Sequence, residues 1–397
     1  MSAIPFREAR DIVLERVRQG AAAPAMEHVS LLEACGRVLA EDAVSDRDYP
    51  PVVRSVRDGF AVRAADLPGT LEVIGEVRAG ESTAQAVGKG QAIEIMTGAP
   101  VPAGADAIVM VEHVTRSGKT IHTDRSQRPG DFINPAGSES QAGALLIPRG
   151  ERITFPRIAM LATIGQAQVR VFGKPRVAIL PTGDEVIPVE ATPESYQVRN
   201  SNAHSLAAQV LRSGGTPDLL GIARDEYNHT RELIERGLAS DLLLLSGGVS
   251  AGKYDIVETV LADLGAEFFF TRVAIQPGQP VVFGRARGTF FFGLPGNPAS
   301  TMVTFEIFAR AAVELLGGLT TPSLPFTYAT LTREFRHKPG LTRFLPALLD
   351  PDGIHVTPIA WQGSSDVPSL ARSNAFLVVD SAQERWAAGD MIPVLLQ

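Results

Sequence analysis

The sequence has 397 residues, of which 45% are hydrophobic and 20% charged, and its formal net charge is −7 at pH 7. This length predicts more than one domain, because single hydrophobic cores stop growing at roughly 250–300 residues. The composition is typical of a soluble globular protein, and the acidic balance argues against nucleic-acid binding. No apolar run is long enough to span a membrane. The one cysteine, Cys35, fits a reducing cytoplasm and is expected in the core.

The first part of the chain predicts two helices followed by a β-rich region. Apolar residues at helical spacing over 4–18 predict a helix that ends at Gly20, and 29–42 predicts a second, shorter helix. Over 49–149, strand-like pieces alternate with glycine and proline turns, which indicates mostly β structure. A short helix and a strand then lead to Lys174.

From Pro175 the pattern becomes regular. Strands such as "RVAIL", "DLLGIARD", "DLLLLS" and "TFFFGL" alternate with helices, and Asn202 is the expected N-cap of the first of these helices. This alternation predicts βαβ units and a central parallel sheet. The tail, 325–397, consists of short alternating pieces and predicts a small β-barrel or sandwich.

Three strands of this sheet end in turns with small or polar residues: 180–185 ("LPTGDE"), 245–255 ("LSGGVSAGKYD") and 294–300 ("LPGNPAS"). Ligands of open parallel sheets bind beyond the carboxyl ends of the strands, so the three turns are expected along one rim. Asn297 is a natural N-cap and Pro298 a natural first helical residue, which would point free N–H groups at that rim. The pattern predicts a ligand that touches backbone, often a phosphate.

The second turn nearly matches the phosphate-binding pattern G-x-x-x-x-G-K-[ST] through Gly247, Gly252 and Lys253. Tyr254 stands where the pattern requires a serine or threonine to hold magnesium. The mismatch at Tyr254 makes a P-loop-like NTPase a weak alternative for the function of this turn.

Carboxylates also cluster at the expected rim. Asp184 and Glu185 follow the first strand, Asp225 follows "GIAR", and Asp255 precedes a helix that it could simply cap. Oxygen ligands of this kind suit Mg²⁺, which proteins hold through one or two carboxylates together with substrate phosphates. The scattered histidines form no zinc motif.

Together these motifs resemble those of the molybdopterin molybdotransferase (MoeA-like) family, whose eukaryotic relative is the E domain of gephyrin. The resemblance covers essentially the whole chain and follows the order of the family's motifs: "SVRDGFAV" (55–62), "IMTGAPVPAGADAIVMVE" (95–112), "LPTGDEVI", "SGGVSAGKYD", "AIQPGQP", "GLPGNPAS" and "WQGSSDVPSLARSNAFLVV" (361–379).

The resemblance implies the last step of molybdenum cofactor synthesis. Such enzymes bind adenylylated molybdopterin and molybdate, release AMP and deliver the metal to the pterin dithiolene with the help of Mg²⁺. The implied fold is a multidomain α/β plus β protein with an elongated, L-shaped subunit. Its implied domains are a helical and β scaffold (1–48 with 147–174), a mostly β domain (49–146), an α/β molybdopterin-binding domain (175–320) and a small β-barrel (321–397).

The resemblance also implies the site residues. The catalytic carboxylates would be Asp58, Glu139, Glu185, Asp225 and Asp255, of which Glu185, Asp225 and Asp255 would hold the metal. The substrate would be bound by Thr97, Thr182, Gly183, Asp184, Ser246, Gly247, Gly248, Ser250, Gln276, Gln279, Pro295, Asn297 and Pro298.

A homodimer is implied as well, in which Asp58 and Thr97 of one subunit complete the site of the other. Contacts with the molybdopterin adenylyltransferase and with recipient molybdoenzymes are further implied partners. The chain departs from the family pattern in three places. Glu139 stands for an aspartate, Val53 and Arg54 replace an Asp-Asn pair, and Gln276 and Gln279 replace lysines.

The two glutamines leave a second hypothesis open. Lysines at Gln276 and Gln279 would meet molybdate or phosphate, so their loss is compatible with a catalytically weakened paralogue that binds pterin or partner proteins. Arg272 or Lys253 are the candidate replacement cations.

Overall fold

The computed structural model describes residues 2–248, 256–379 and 381–397. The chain forms two compact units. The first contains Met1–Glu41, Gly150–Thr154 and Gln168–Gln397, and the second contains Asp42–Arg149 and Phe155–Ala167. None of the described helices is long and apolar enough to cross a membrane.

The first unit begins with helix α1 (Phe6–Gly20), which ends at Gly20 as predicted and buries Ala9, Val13 and Val17. These three side chains recur at intervals of four residues, so they lie on one face of the helix. That face packs into the larger core of the α/β sheet.

The helix predicted over 29–42 is wrong in its extent. Strand β1 (Met26–Ser30) is followed by a single helical turn, α2 (Leu31–Ala34). Ser30 and Glu33 form a capping box that starts this turn, and Gly36, with a φ of 79°, follows its end. Cys35 is exposed, which corrects the expectation that it belongs to the core.

The second unit is mostly β, as predicted. A six-stranded sheet in the order β7-β4-β6-β5-β9-β8 carries its core on both faces, and two short strand pairs flank it. Its described elements are β2 (Ala43–Val44), β3 (Arg54–Ser55), β4 (Gly59–Val62), β5 (Gly69–Val77), β6 (Gln91–Ile95), β7 (Ala107–Met110), β8 (Thr115–Ser117), β9 (Thr120–Thr123), β10 (Ile133–Asn134), β11 (Leu145–Ile147) and α3 (Phe155–Thr163).

Strand β12 (Gln168–Phe172) returns to the first unit and pairs antiparallel with β1. The α/β region then follows. Its elements are β13 (Arg176–Pro181), β14 (Val186–Ile187), β15 (Val198–Arg199), α4 (Ser201–Arg212), β16 (Thr216–Leu219), α5 (Tyr227–Gly237), β17 (Leu242–Ser246), α6 (Ile256–Asp263), β18 (Glu267–Phe270), β19 (Ile275–Gln276), β20 (Val282–Ala286), β21 (Thr289–Leu294), α7 (Pro298–Thr304) and α8 (Arg310–Leu316). A π-helical turn, Phe305–Ala309, joins the last two helices.

The central sheet has the order β16-β13-β17-β21-β20-β18. The first four strands are parallel, as predicted, but β20 and β18 run antiparallel to their neighbours. The reason is local: only Arg287 and Gly288, both with positive φ, join β20 to β21. Two residues can make a hairpin but cannot make the crossover that a parallel pair needs.

Strand β16 also differs from the expectation. It covers Thr216–Leu219 and so begins before the predicted "DLLGIARD" segment. Pro217 is tolerated there because β16 lies at the edge of the sheet, where one side of the strand needs no backbone donor. The chain continues without strand structure to Ala223, which forms a bridge with Thr182.

The tail forms a closed sheet. Strands β24, β25, β22, β28 and β26 pair in that order, and β26 pairs back to β24, which makes a small barrel. Strand β19 of the α/β region joins this sheet beside β24. The described elements are β22 (Phe326–Leu331), β23 (Phe335–Arg336), β24 (Thr342–Leu349), β25 (His355–Pro358), α9 (Val367–Ala371), β26 (Ala375–Val379), β27 (Arg385–Trp386) and β28 (Met391–Leu396).

Candidate active site

Backbone hydrogen bonds join the ends of the parallel strands into one rim. The N–H of Thr182 donates to the carbonyl of Ser246 at 2.9 Å, and the N–H of Gly247 donates to the carbonyl of Leu294 at 3.1 Å. The N–H of Gly183 reaches the carbonyl of Ala223 at 3.1 Å. The structure therefore brings the described parts of the three predicted turns together at the carboxyl ends of β13, β17 and β21.

Packing explains the two glycines that follow β17, Gly247 and Gly248. Gly247 has a φ of 95°, and a Cβ there would lie 2.7 Å from the carbonyl oxygen of Thr182. A Cβ on Gly248 would lie 2.8 Å from Oγ1 of Thr182 and 2.8 Å from a methyl group of Val257. All three distances are shorter than real Cβ contacts. Glycine is therefore required for the close approach of the turns, whatever ligand they bind.

Carboxylates follow the same rim. The N–H of Asp225 donates to Oδ1 of Asp184 at 3.2 Å, and Nη1 of Arg224 donates to the carbonyl of Asp184 at the same distance. Glu185 folds back over Gly183, so that a Cβ on Gly183 would lie 2.4 Å from Oε2 of Glu185. Asp184, Glu185 and Asp225 are all exposed, so an incoming ligand can reach their carboxylates.

The predicted metal ligands do not form a preassembled cluster. In the described part of the chain, one group of three side chains brings its ligand atoms within 4.8 Å of one another, and it consists of Asp350, Asp352 and His355 around the start of β25. Glu185 and Asp225 lie on the rim without forming such a group, and Asp255 is outside the described residues. Ser250 and the pattern positions Gly252, Lys253 and Tyr254 are outside them too.

The turn after β21 leads into helix α7. Pro298 is its first residue, as predicted, and Asn297 occupies the N-cap position without a capping hydrogen bond from its side chain. Instead, Nδ2 of Asn297 donates to Oγ of Ser364 at 2.9 Å, and the N–H of Ala299 donates to the Ser364 carbonyl at 2.9 Å. The carbonyl of Pro295 accepts from Oγ1 of Thr301. Part of the C-terminal motif is thus attached to this end of the rim.

The prediction that Asn202 caps helix α4 is wrong. Asn200 is the N-cap, because its side chain accepts from the N–H of Ala203. The side chain of Asn202 instead donates to Oγ of Ser246 at 2.8 Å and to the carbonyl of Gly296 at 2.7 Å. Asn202 is thus a residue of the rim that was not predicted, because "RNSN" offers two asparagines that are equally suitable as caps.

One of the two glutamines, Gln276, lies beside an arginine that the sequence did not mark as a site residue. Gln276 is half-buried in β19, where it stands opposite Arg343 of β24. Nε of Arg343 is buried and has no hydrogen-bond partner within the described ranges. Gln279 is exposed, and its carbonyl accepts from the N–H of Val273 at 3.0 Å. Arg343 is thus the neighbour of Gln276 in the strand pairing, and Lys253, one of the two expected cations, lies outside the described residues.

Two further predicted residues meet in the β-rich unit. Oδ1 of Asp58 accepts from the N–H of Thr97 at 2.6 Å and from its Oγ1 at 2.8 Å. The cause is the register of the sheet, in which Gly59 stands opposite Ile95, so the residues beside them come together. A Cβ on Gly59 would lie 2.0 Å from the carbonyl oxygen of Val109, so only glycine permits this strand spacing.

The hydrogen bonds from Thr97 also set the protonation of Asp58. The backbone N–H of Thr97, and after it the hydroxyl, hold the pKa of this carboxyl below its ordinary value. Glu139, in the same unit, accepts at Oε1 from Nδ2 of Asn134 at 3.0 Å. Asp58 is therefore a fixed, deprotonated acceptor at neutral pH.

Comparisons with known proteins fit this architecture. Residues 4–165 match the MoeA N-terminal region (domain I and II), 178–315 a probable molybdopterin binding domain, and 328–397 the MoeA C-terminal region (domain IV). The matched regions define a multidomain protein built around an α/β domain of the molybdopterin-binding type.

Whole-length relatives narrow this class. The chain is 36% identical to the molybdopterin molybdenumtransferase of Bacillus subtilis, over 99% of this chain and 94% of that protein. It is 34% identical to the protein of the same name from a Nostoc species, over 93% and 88% of the two chains. The crystal structure of the molybdopterin biosynthesis moeA protein from Pyrococcus horikoshii OT3 matches with a TM-score of 0.83 and 30% identity over the full length of both chains. The chain belongs to the MoeA family of molybdopterin molybdenumtransferases, and the resemblance drawn from its motifs is confirmed.

Proposed function

We propose that this protein transfers molybdenum from molybdate to adenylylated molybdopterin and releases AMP, as the last step of molybdenum cofactor biosynthesis. The family supports a transferase of this pathway, because relatives that match nearly the whole chain carry that name. The observation that carries the proposal is the rim, where the turns after β13, β17 and β21 meet through backbone hydrogen bonds.

The rim suits a ligand of this chemistry. Ligands of parallel α/β sheets bind beyond the carboxyl ends of the strands, where backbone N–H groups and helix N-termini favour phosphate groups. Gly183, Gly247 and Gly248 keep side chains off the turns, so a flat pterin with its phosphate can approach the backbone. The remaining substrate-binding assignments, including Thr182, Ser246 and Pro295, are part of the same proposal.

The carboxylates of the rim fit Mg²⁺ as partial ligands. Glu185 and Asp225 offer oxygen atoms, and proteins usually complete a magnesium site with substrate phosphates and waters rather than with a full protein cage. The lack of a preassembled group of three among the described rim residues agrees with such a shared site. When bound, Mg²⁺ would neutralise phosphate charge as the bond to AMP breaks.

The chain's own residues would then orient the reactants. Asp184, joined to the N–H of Asp225, holds the two acidic turns in register. Arg343, beside Gln276, supplies positive charge for molybdate in place of the family's lysines. Asp255 and Ser250 keep the roles that the resemblance implies.

We also propose a homodimer in which Asp58, Thr97 and Glu139 of a second copy complete each site. Support comes from the way that Thr97 holds Asp58 as a fixed acceptor, which is the behaviour of a binding residue. The same proposal includes contacts with the adenylyltransferase and with recipient molybdoenzymes. It also includes the division into four domains with boundaries at 49, 147, 175 and 321.

The test is turnover by the purified protein with adenylylated molybdopterin, molybdate and Mg²⁺. We expect AMP release that requires molybdate, together with formation of a cofactor that activates a molybdenum-free apoenzyme. Tight pterin binding without AMP release would instead support the weakened paralogue that Gln276 and Gln279 suggest. A monomer that retains full activity at micromolar concentration would rule out the shared site.

A further inference from the structure

Asn202 connects two turns of the rim from a third element. It lies in the first turn of α4, and since Asn200 caps this helix, the side chain of Asn202 is not needed for capping. Its two Nδ2 hydrogens are both used, one by Oγ of Ser246 and one by the carbonyl of Gly296. Ser246 ends β17 and Gly296 follows β21.

The orientation of this amide is determined by its partners. The carbonyl of Gly296 can only accept, so the nitrogen of Asn202 must face it. Oδ1 is buried and has no hydrogen-bond partner among residues 2–248, 256–379 and 381–397. Asn202 therefore acts through its two donors, and a side chain without them cannot replace it.

Among the described residues, the start of the turn after β17 and the turn after β21 share few other contacts. Gly247 donates to the carbonyl of Leu294, and a Cβ on Gly296 would lie 3.6 Å from the Cα of Gly247. The backbones are in van der Waals contact, and the glycines bring no side chain that could interlock. Among the described side chains, that of Asn202 hydrogen-bonds to both Ser246 and Gly296.

We propose that Asn202 is a positioning residue, which clamps the end of β17 with the adjoining Gly247 and Gly248 against the turn after β21 and thereby preorganises the backbone surface that binds the pterin substrate. This inference rests on the proposed function for its substrate. The clamp itself is a property of the fold. Rigid, preorganised contacts improve affinity because less order has to be imposed when the ligand binds.

The chain offers a matched pair of variants for the test. Asn202→Asp keeps the size of the side chain but places a carboxylate against the Gly296 carbonyl, where it cannot donate. Asn200→Asp makes the same chemical change two residues away, and asparagine and aspartate are equally good N-caps. Both variants add one negative charge to the start of α4, so the general electrostatic effect cancels.

In Asn202→Asp we expect KM for adenylylated molybdopterin to rise roughly 30-fold, as for one buried hydrogen bond left unmade, with kcat within about threefold. Asn200→Asp should leave both constants unchanged. A variant that was merely misfolded would instead lose kcat, through a smaller active fraction, at unchanged KM. Asn202→Ala, which removes the donors without adding charge, should raise KM in the same direction by roughly tenfold.

Amide hydrogen exchange gives a readout that does not depend on activity. We expect the amide of Gly247, which donates to Leu294, to exchange faster in Asn202→Asp and Asn202→Ala than in Asn200→Asp or the native chain. Unchanged Gly247 exchange, or unchanged KM in both Asn202 variants, would overturn the clamp. If the native chain released no AMP while Gly247 still responded, the proposed function would fail and the clamp would stand.

Discussion

Asp58, which precedes β4 in the β-rich unit, and Asp225, at the rim of the α/β sheet, are both exposed carboxylates. They differ in what their oxygens already contact. Oδ1 of Asp58 accepts two hydrogen bonds from Thr97, whereas Asp225 takes part at the rim through its backbone N–H, which donates to Asp184. Within the described residues, the first carboxylate is engaged by the protein, and the second is exposed and takes no part in the hydrogen bond that its backbone makes.

This difference separates two uses of the same functional group. A carboxylate that is fixed by donors has a low pKa and a defined direction, which suits recognition. A carboxylate whose oxygens are open can become a metal ligand, because Mg²⁺ needs lone pairs that are not already committed. The two regions therefore predict different responses to substitution.

The largest effect is expected at the open carboxylates. Asp225→Asn and Glu185→Gln should each lower AMP release roughly 100-fold, the scale of losing one electrostatic group in a site. Asp255→Asn is expected to behave alike. Both described residues lie at the surface, so the free energy of unfolding should change by less than about 0.5 kcal/mol.

Asp218→Asn is the matched control, because Asp218 lies on β16 and pairs with exposed Arg176 rather than with the rim. Normal turnover in Asp225→Asn and Glu185→Gln would show that the rim carboxylates are not metal ligands.

The next effect concerns the backbone that carries these groups. Gly247 and Gly221 have nearly the same φ, 95° and 97°, but a Cβ meets the Thr182 carbonyl only at Gly247. Gly221→Ala should therefore cost about 1 kcal/mol of unfolding free energy from backbone strain. Gly247→Ala should cost about 2–4 kcal/mol, since a steric clash is added. Chemical denaturation measures the unfolding free energy of both variants. Equal losses in the two variants would mean that the turns move apart without cost and that the added methyl group of Gly247→Ala meets no clash.

A smaller effect is expected for the anion. A lysine about 4 Å from molybdate contributes at most roughly 4 kcal/mol at an effective dielectric of 20, and less where water enters. Gln276→Lys with Gln279→Lys should lower the molybdate requirement about tenfold, and Arg343→Gln should raise it by a similar factor. Titration of molybdate at saturating pterin substrate measures this. If Arg272→Gln raised the requirement and Arg343→Gln did not, Arg272 would be the cation of the site.

The smallest effect tests the fixed carboxylate. Thr97→Val removes one donor to Asp58 and leaves the backbone N–H, so the pKa of Asp58 should rise toward its ordinary value. A lowered pKa stabilises the fold above the unfolded value of about 3.9, and this contribution is lost as the pH falls through the folded-state pKa. In Thr97→Val the contribution should be smaller, and its loss should be complete at a higher pH, because the folded-state pKa lies closer to the unfolded value. Carbon-13 NMR titration of the Asp58 carboxyl checks the direction of the pKa change. An unchanged pKa in Thr97→Val would mean that the Thr97 hydroxyl does not lower the pKa of Asp58.

Much of the fold could be predicted because its signals are local. Helix α1, the β-rich unit and the alternation of strands and helices after Pro175 follow from apolar periodicity and from turn residues. The three turns at the rim were predictable because parallel strands place their carboxyl ends on one edge. The antiparallel direction of β20 was predictable in principle. In "FGRARGTFFF" only two residues, Arg287 and Gly288, separate the two strands, and a connection that short can only form a hairpin.

Other features depend on geometry that the sequence does not express. Asn200 and Asn202 are both suitable caps, and only the backbone at the start of α4 decides between them. Arg343 is distant from Gln276 along the chain, and they meet because two residues of β19 pair with the barrel. The π-helical turn after α7 has no signal in the composition of "FEIFA".

The exposed position of Cys35 makes it a natural site for attaching a spectroscopic label. It is the single thiol of the sequence, and it is exposed at the end of a short, capped helical turn. A spin label or a fluorophore coupled to it would mark every chain once without any substitution. In a two-chain assembly such labels define one distance between identical points, and that distance can be followed while substrate is added.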